Sequence, residues 1–181
     1  MILSNISNES LMKYLNLKKI KDQNISIWIT ITGNCMSPWF VAGDKVHIIS
    51  KPDYFIGDNV LKYQHGHFWV HRIVHVLENT VITKGDHNDF SDEELQKNDI
   101  VGVVVGKRNI SGTEIIFKHK RALIIKVAAT FSYWSGILIH KYVHKSNNVQ
   151  KKVLKFLYVI FKFLSQKFFY VTYKLSIRPC I

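Results

Sequence analysis

The sequence predicts a mainly β protein: an antiparallel β domain of barrel or sandwich type, led by a short helix and followed by two basic amphipathic helices. Three observations carry this expectation. Seven short runs rich in β-branched residues follow one another between residues 25 and 117. Gly-Asp pairs at 43–44, 57–58 and 85–86 separate several of them as turns. From Lys118 onward the turn signals stop, and long apolar stretches spotted with lysine take over.

The opening segment NISNESLMKYLNLKKI places Leu11, Met12, Leu15 and Ile20 at near-helical spacing, with Ser7 or Ser10 as cap. The strands then read ISIWITI (25–31), KVHIIS (45–50), NVLKYQ (59–64), HFWVHRIVHV (67–76), TVIT (80–83), DIVGVVVGKR (99–108) and TEIIF (113–117). His65-Gly66-His67 marks a further turn. Short strands joined by turns favour an antiparallel barrel or sandwich. Three regions follow: a helical lead-in over 1–24, a β domain over 25–117 and a helical tail over 118–181.

Charge is divided as sharply as texture. The 181-residue chain carries a net +12, yet residues 1–114 hold 12 Lys+Arg against 13 Asp+Glu, and residues 115–181 hold 13 Lys+Arg and no acidic residue. A tail of this kind suits a polyanionic partner, or an acidic face of its own domain. Lys151, Lys155, Lys162 and Gln166 share a narrow helical stripe. Neither tail segment is an unbroken run of the roughly 18 apolar residues expected of a membrane span. Lysines interleaved with long apolar runs fit an anionic lipid interface better than nucleic acid, which cannot bury those runs. The alternative is an αα-hairpin burying its apolar faces against itself or the β domain.

Two cysteines, Cys35 and Cys180, give no disulfide framework. The first 23 residues lack the apolar stretch of a signal peptide or anchor, so reducing surroundings and the cytoplasmic face of a bacterial membrane are expected.

Chemistry concentrates in TGNCMSPWFVAGD (32–44). Gly33 and Pro38 flank Cys35 in a constrained loop, where backbone amides can meet an oxyanion. A thiol becomes a strong nucleophile when an imidazole lowers its pKa; otherwise it is a small apolar filler. Strand alternation puts His67, His71 and His75 on one face of HFWVHRIVHV, and spacing alone does not choose among them. No carboxylate or cysteine stands at a familiar ligand spacing from them, so no metal and no cofactor is expected.

The order of these motifs resembles the signal peptidase superfamily. GNCMSPWFVAGDKV is similar to its nucleophile box, with Cys35 at the serine position. GDNVLKY (57–63) resembles the following strand, VHRIVHV (70–76) the strand of the general base, TKGDHNDFSDE (83–93) the Thr-Lys-Gly-Asp segment, and DIVGVVVG the closing strand. His71-Arg72 resembles the endoplasmic-reticulum and archaeal type, where bacterial members have Lys-Arg. The self-cleaving repressors share this β-rich fold but use lysine and carry a DNA-binding domain ahead of it.

The resemblance spans about residues 28–106. It implies an endopeptidase acting on a precursor or leader peptide at a membrane surface. Cys35 would attack, His71 would serve as base and acid, and Asp92 would orient His71. Asp86 would brace the site or exchange roles with Asp92. Met36, Trp39 and Phe40, with Val41, would form an apolar substrate rim, unless they are core packing. Asp89 is then either part of the site or a solvated loop residue, and His67, His75 and His87 are packing or surface residues.

The chain departs from the pattern at Gly33, which has no hydroxyl to offer an oxyanion, and at Cys35 itself. These departures keep a second expectation open: a membrane-associated binding or assembly protein that retains the fold without the chemistry.

Overall fold

The β-branched runs form seven of the eight strands in the computed structural model, which describes residues 26–64, 67–117, 122–144 and 148–176. They are β1 (Ile27–Thr30), β2 (Lys45–Ile49), β3 (Asn59–Gln64), β4 (His67–Val76), β5 (Thr80–Lys84), β6 (Leu95–Gln96), β7 (Ile100–Arg108) and β8 (Glu114–Ile116). The lead-in helix expected over residues 1–24, the turn at His65-Gly66 and Cys180 lie outside the described residues. The two-residue β6 and the 3-10 turn Lys97–Asp99 after it carry too little pattern to be read from sequence.

All strand pairs are antiparallel, in the order β1-β2-β7-β3-β4-β5-β6, with β8 added to β7. The order begins at β1 and ends at β6, so the sheet does not close on itself. The closed barrel among the expected forms is thus replaced by an open sheet with free edges.

Alternation distributes side chains into two apolar clusters. Met36, Trp39, Phe40, Val46, Ile48, Leu61, Val70 and Val104 build one; Tyr54, Val60, Ile73, Val81, Leu95, Ile100 and Val103 build the other. Each fully buried side chain of this size stabilises the fold by about 1.5–3 kcal/mol relative to exposure.

A bulge in β4 re-aims its last residues. Pairing with β5 slips between Ile73 and His75, so Ile73 stands opposite Thr83 while His75 stands opposite Ile82. His75 therefore leaves the face expected for it and stacks flat on Tyr133, with ring centroids 4.7 Å apart. The three β4 histidines do not converge, and the described residues contain no metal-competent cluster of His, Cys, Asp and Glu.

The tail forms two helices, α1 (Ala122–His144) and α2 (Asn148–Ser176), packed on each other as a hairpin and against β4. Small residues make the docking close: Ala128, Ala129, Ser132 and Ser135 of α1 are buried. Gly57 holds a left-handed conformation (φ 98°), and a Cβ there would stand 2.6 Å from Ile125 Cγ2 of α1.

Arg72 fastens β4 to the hairpin. Its guanidinium lies 4.3 Å from the Phe169 ring centre and 5.3 Å from that of Trp39. It donates to both oxygens of Asp86 at 2.8 and 2.6 Å and to the Gly57 carbonyl at 3.0 Å. Both partners of this bidentate pair are buried.

The hairpin is not wholly absorbed by this docking. Val149, Val153, Phe156, Ile160 and Phe163 of α2 remain exposed, Phe156 to 66%. Among the described residues one helical stretch, Leu123–Tyr142 of α1, is long and apolar enough to cross a membrane by length and composition.

Removing one partner of a buried ion pair strands the other charge, so Asp86→Ala is expected to lower unfolding stability by about 3–5 kcal/mol. Urea denaturation of the two proteins measures it; a loss within about 0.5 kcal/mol, typical of surface changes, would show that Arg72 is compensated elsewhere.

Candidate active site

The loop that presents Cys35 is fixed by its own backbone. Ile31 N–H donates to the Asp44 carbonyl and Gly43 N–H to the Ile31 carbonyl, each at 2.8 Å, closing the loop at its base. Within it, Ser37 N–H reaches the Asn34 carbonyl at 3.0 Å and Phe40 N–H the Met36 carbonyl at 3.1 Å, winding residues 35–40 into turns. Asn34 Oδ1 accepts from Ala42 N–H at 3.0 Å, and the buried Lys107 ammonium donates to the Trp39 carbonyl at 2.8 Å and to Asp44 Oδ2 at 3.1 Å.

A second loop, after β5, locks onto the first. His87 N–H donates to the Cys35 carbonyl at 2.9 Å. A Cβ on Gly85 would sit 2.7 Å from that same oxygen, so the close approach of the two loops requires glycine. The TKGD segment thereby fixes the backbone of Cys35 from across the sheet.

His71 lies on the same face of β4 as Trp69, beside β3, and is buried. Its Nδ1–H donates to Asp92 Oδ2 at 2.6 Å. The other nitrogen, Nε2, is buried and has no hydrogen-bond partner of good geometry among the described residues. Cys35, half-buried, stands within hydrogen-bonding reach of the ring.

Asp92 is held by more than histidine. The same oxygen, Oδ2, accepts from Thr83 Oγ1 at 2.5 Å and from the buried Lys62 ammonium at 2.8 Å. Lys62 also donates to Gln64 Oε1 at 2.7 Å. The Asp92 backbone is fastened too, its N–H donating to the Thr83 carbonyl at 2.8 Å.

These contacts set the charges. Burial disfavours an ionised Asp92, but the hydrogen bond and charge of His71, and then Lys62, overcome it and hold the carboxyl at about 2. Burial also pulls His71 down; the Asp92 hydrogen bond, the Cys35 thiol and the charge on both outweigh it and raise the imidazole to about 9.

The structure thus gathers Cys35, His71 and Asp92, and sends Asp86 elsewhere, onto Arg72. Asp86 braces the strand that carries His71 and does not touch the imidazole. The apolar rim needs correction: Trp39 and Phe40 are 2% and 0% exposed and belong to the core. Met36, equally buried, does line a cleft of about 800 Å³. Asp89 is not merely solvated, because it accepts from Tyr158 at 2.7 Å and pairs with Lys162 of α2.

The cleft is the seam where the sheet fails to close. Successive residues border it, Ile27–Gly33 on one side and His67–Val70 on the other, together with Cys35, Met36 and Leu61. Alternate residues would mark a strand face; successive ones mark a strand edge. Among the described residues β1 pairs only with β2, and β5 covers only Arg72–Val76 of β4, so both walls carry backbone groups unpaired within the described sheet.

Sequence reading missed Lys62 and Thr83 as partners of Asp92. Their parity was legible, since Lys62 pairs with Trp69 and Thr83 with Ile73 on the His71 face, but the strand register was not.

Comparison with protein-family profiles, curated proteins and solved structures finds no match. The site's class therefore rests on its own geometry: a half-buried thiol, an imidazole held through Nδ1 and a carboxylate behind it, at the edge of an open antiparallel sheet.

The pH range of this arrangement follows from its two shifted groups. His71 is raised, so its stabilising share is complete below 6.5 and is lost as pH rises through about 9. Asp92 is lowered, so its share is complete above 3.8 and fades as pH falls toward about 2. An NMR titration of the His71 ring is expected to show a midpoint near 9, falling markedly in Asp92→Asn. A wild-type midpoint at the ordinary 6.5 would break the coupling.

Proposed function

We propose that the protein is a signal-peptidase-like endopeptidase that cleaves a precursor or leader peptide at a membrane surface, with Cys35 as nucleophile and His71 as base and acid. The observation that carries this reading is the set Cys35–His71–Asp92 standing beside a cleft whose two walls are open strand edges.

An extended peptide can fill such a seam by pairing its backbone with β1 or β4, which holds the scissile bond rigidly. Isoleucines 27, 29 and 31, Leu61, Phe68 and Val70 make the lining mostly apolar, which favours an apolar segment next to the cut.

Chemically, the Cys35 thiolate attacks the scissile carbonyl and forms a C–S bond, moving a carbonyl electron pair onto oxygen. The Cys35 N–H is the nearest backbone donor to that oxyanion by position in the chain. With Gly33 lacking a hydroxyl, this amide carries more of the stabilisation, and one such donor is worth about 2.7–4 kcal/mol. Collapse breaks the C–N bond as His71 Nε2 gives its proton to the leaving amine. Water, deprotonated by His71, then attacks the thioester, releasing the carboxylate product and the thiolate. Asp92, through Nδ1, keeps the imidazole in the tautomer and orientation both steps need.

Two features of the helical hairpin support the membrane surface. α2 leaves an apolar face uncovered from Val149 to Val171, and Lys152, Lys155 and Lys167 lie along it without an acidic residue in the helix. Anionic lipid answers both the apolar surface and its sign of charge.

Cys35→Ala is expected to abolish processing of a cognate precursor, read as loss of the cleaved product by mass spectrometry. Processing at the native rate would leave a binding protein with this fold as the better reading. Flotation with vesicles containing phosphatidylglycerol is expected to carry the protein upward, and Phe156→Glu with Phe163→Glu to weaken it at least tenfold. Retardation of DNA without flotation would replace lipid with nucleic acid as the tail's partner.

A further inference from the structure

Resting on the reading of Cys35 and His71 just given, we propose that Lys62 is a positioning residue of the site, whose buried ammonium holds the Asp92 carboxylate and supplies the charge that lets Cys35 rest as a thiolate beside a protonated His71.

A buried lysine is costly unless its charge is answered. Lys62 is 1% exposed, and its Nζ meets the carboxylate oxygen that also holds His71, at 2.8 and 2.6 Å respectively. Gln64 Oε1 takes a second N–H at 2.7 Å, which fixes the direction of the ammonium. Apolar fillers would serve a strand of this kind more cheaply, so a cation at this point has a consequence for the site.

The consequence appears in the count of charges in direct contact. Without Lys62, Asp92⁻ and His71⁺ form a neutral pair, and a thiolate at Cys35 would be an excess negative charge in a half-buried place. With Lys62⁺ present, neutrality requires one more anion when His71 is protonated, and Cys35 is the remaining ionisable group in the set. Lys62 thereby converts a neutral thiol facing an Asp–His pair into a thiolate facing an imidazolium. It also anchors the carboxylate from the β3 side while Thr83 anchors it from β5.

The other charged groups around the set do not substitute for it. Arg72 on β4 is taken up by Asp86, and Lys162 on α2 by Asp89. Lys84 on β5 senses Asp92 at longer range, but its Nζ is bonded to the Ser132 carbonyl and Ser135 hydroxyl of α1. His67 on β4 belongs to the cleft wall and contacts Trp69, not Asp92.

The test needs no substrate. Alkylation of Cys35 by iodoacetamide, read on its own peptide by mass spectrometry, is followed from pH 5 to 10 in wild type, Lys62→Gln, Lys62→Met, Lys62→Arg and His71→Ala. Glutamine keeps a donor for Asp92 and removes only the charge; methionine removes both at similar length. Thermal unfolding identifies any variant that does not fold, and the folded neutral variant is read. The neutral variants are expected to lose at least tenfold in rate at pH 7, with the midpoint moving toward the free-thiol value of about 8.5, while arginine retains the wild-type profile.

Neutral variants whose profiles superimpose on a His71-dependent wild-type profile would overturn the role of Lys62 alone. A wild-type profile with an ordinary thiol midpoint that His71→Ala leaves unchanged would remove the nucleophile, and the proposed function with it.

Discussion

One carboxylate oxygen organises this molecule. Asp92 Oδ2 receives three donors, from β3 through Lys62, from β4 through His71 and from β5 through Thr83. Charge-assisted bonds of this length are the strong ones, and three of them on one atom tie adjacent strands together at a single point. The geometry is mutually enforcing: moving Asp92 loosens the imidazole, the ammonium and the hydroxyl at once.

The loop carrying Asp92 is short, and the helical hairpin keeps it in place. Asp89 is held by Tyr158 and Lys162 of α2, and Lys84 at the loop's start is held by Ser132 and Ser135 of α1. A Cβ on Gly136 would stand 2.6 Å from Ser91 Oγ, so α1 lies directly on the loop next to Asp92. On the other side, Gly85 and His87 grip the Cys35 carbonyl. The tail is therefore structural support for the site as well as an exposed apolar surface. Burial drives Lys84 down to about 8, and nearby Lys162 adds to the effect. That is the cost of seating an ammonium against neutral helix groups, which the charges of Asp89, Asp86 and Asp92 only partly offset.

Much of the sheet was legible in advance because it rests on local chemistry. The runs 59–64 and 67–76 became β3 and β4 with the same bounds, since β-branched residues and flanking turns suffice to define a strand. Side-chain parity on β4 was legible up to Ile73 and failed at His75, because a bulge adds a residue that no period-two pattern contains. Trp39 and Phe40 illustrate another limit. An aromatic after a loop proline reads equally as rim or core, and only the docking of Phe169 and Phe117 makes it core. Lys62 was hidden for a deeper reason: a lysine in a strand is ordinarily a solvent-facing residue, and its burial depends on Asp92, 30 positions away.

The open seam and the cluster beneath it belong to one design. A sheet that leaves two edges unpaired forfeits the hydrogen bonds that closure would bring, and exposed edges invite unwanted pairing. The gap runs past Cys35, and under the proposed function an extended peptide would fill it. A thiol suits this position better than a hydroxyl would. Gly33 provides no side-chain donor for an oxyanion, so under the proposed mechanism the attacking group would have to bring more of the reactivity itself. A thiolate does so at neutral pH if a cation stands by, whereas a serine hydroxyl remains protonated and relies on the base at the moment of attack. Under the proposed function three features answer one requirement: a cysteine at the attacking position, a glycine two residues before it that offers no hydroxyl, and a buried lysine behind the carboxylate. Each is an anomaly taken singly; together they are what the proposed sulfur nucleophile would need.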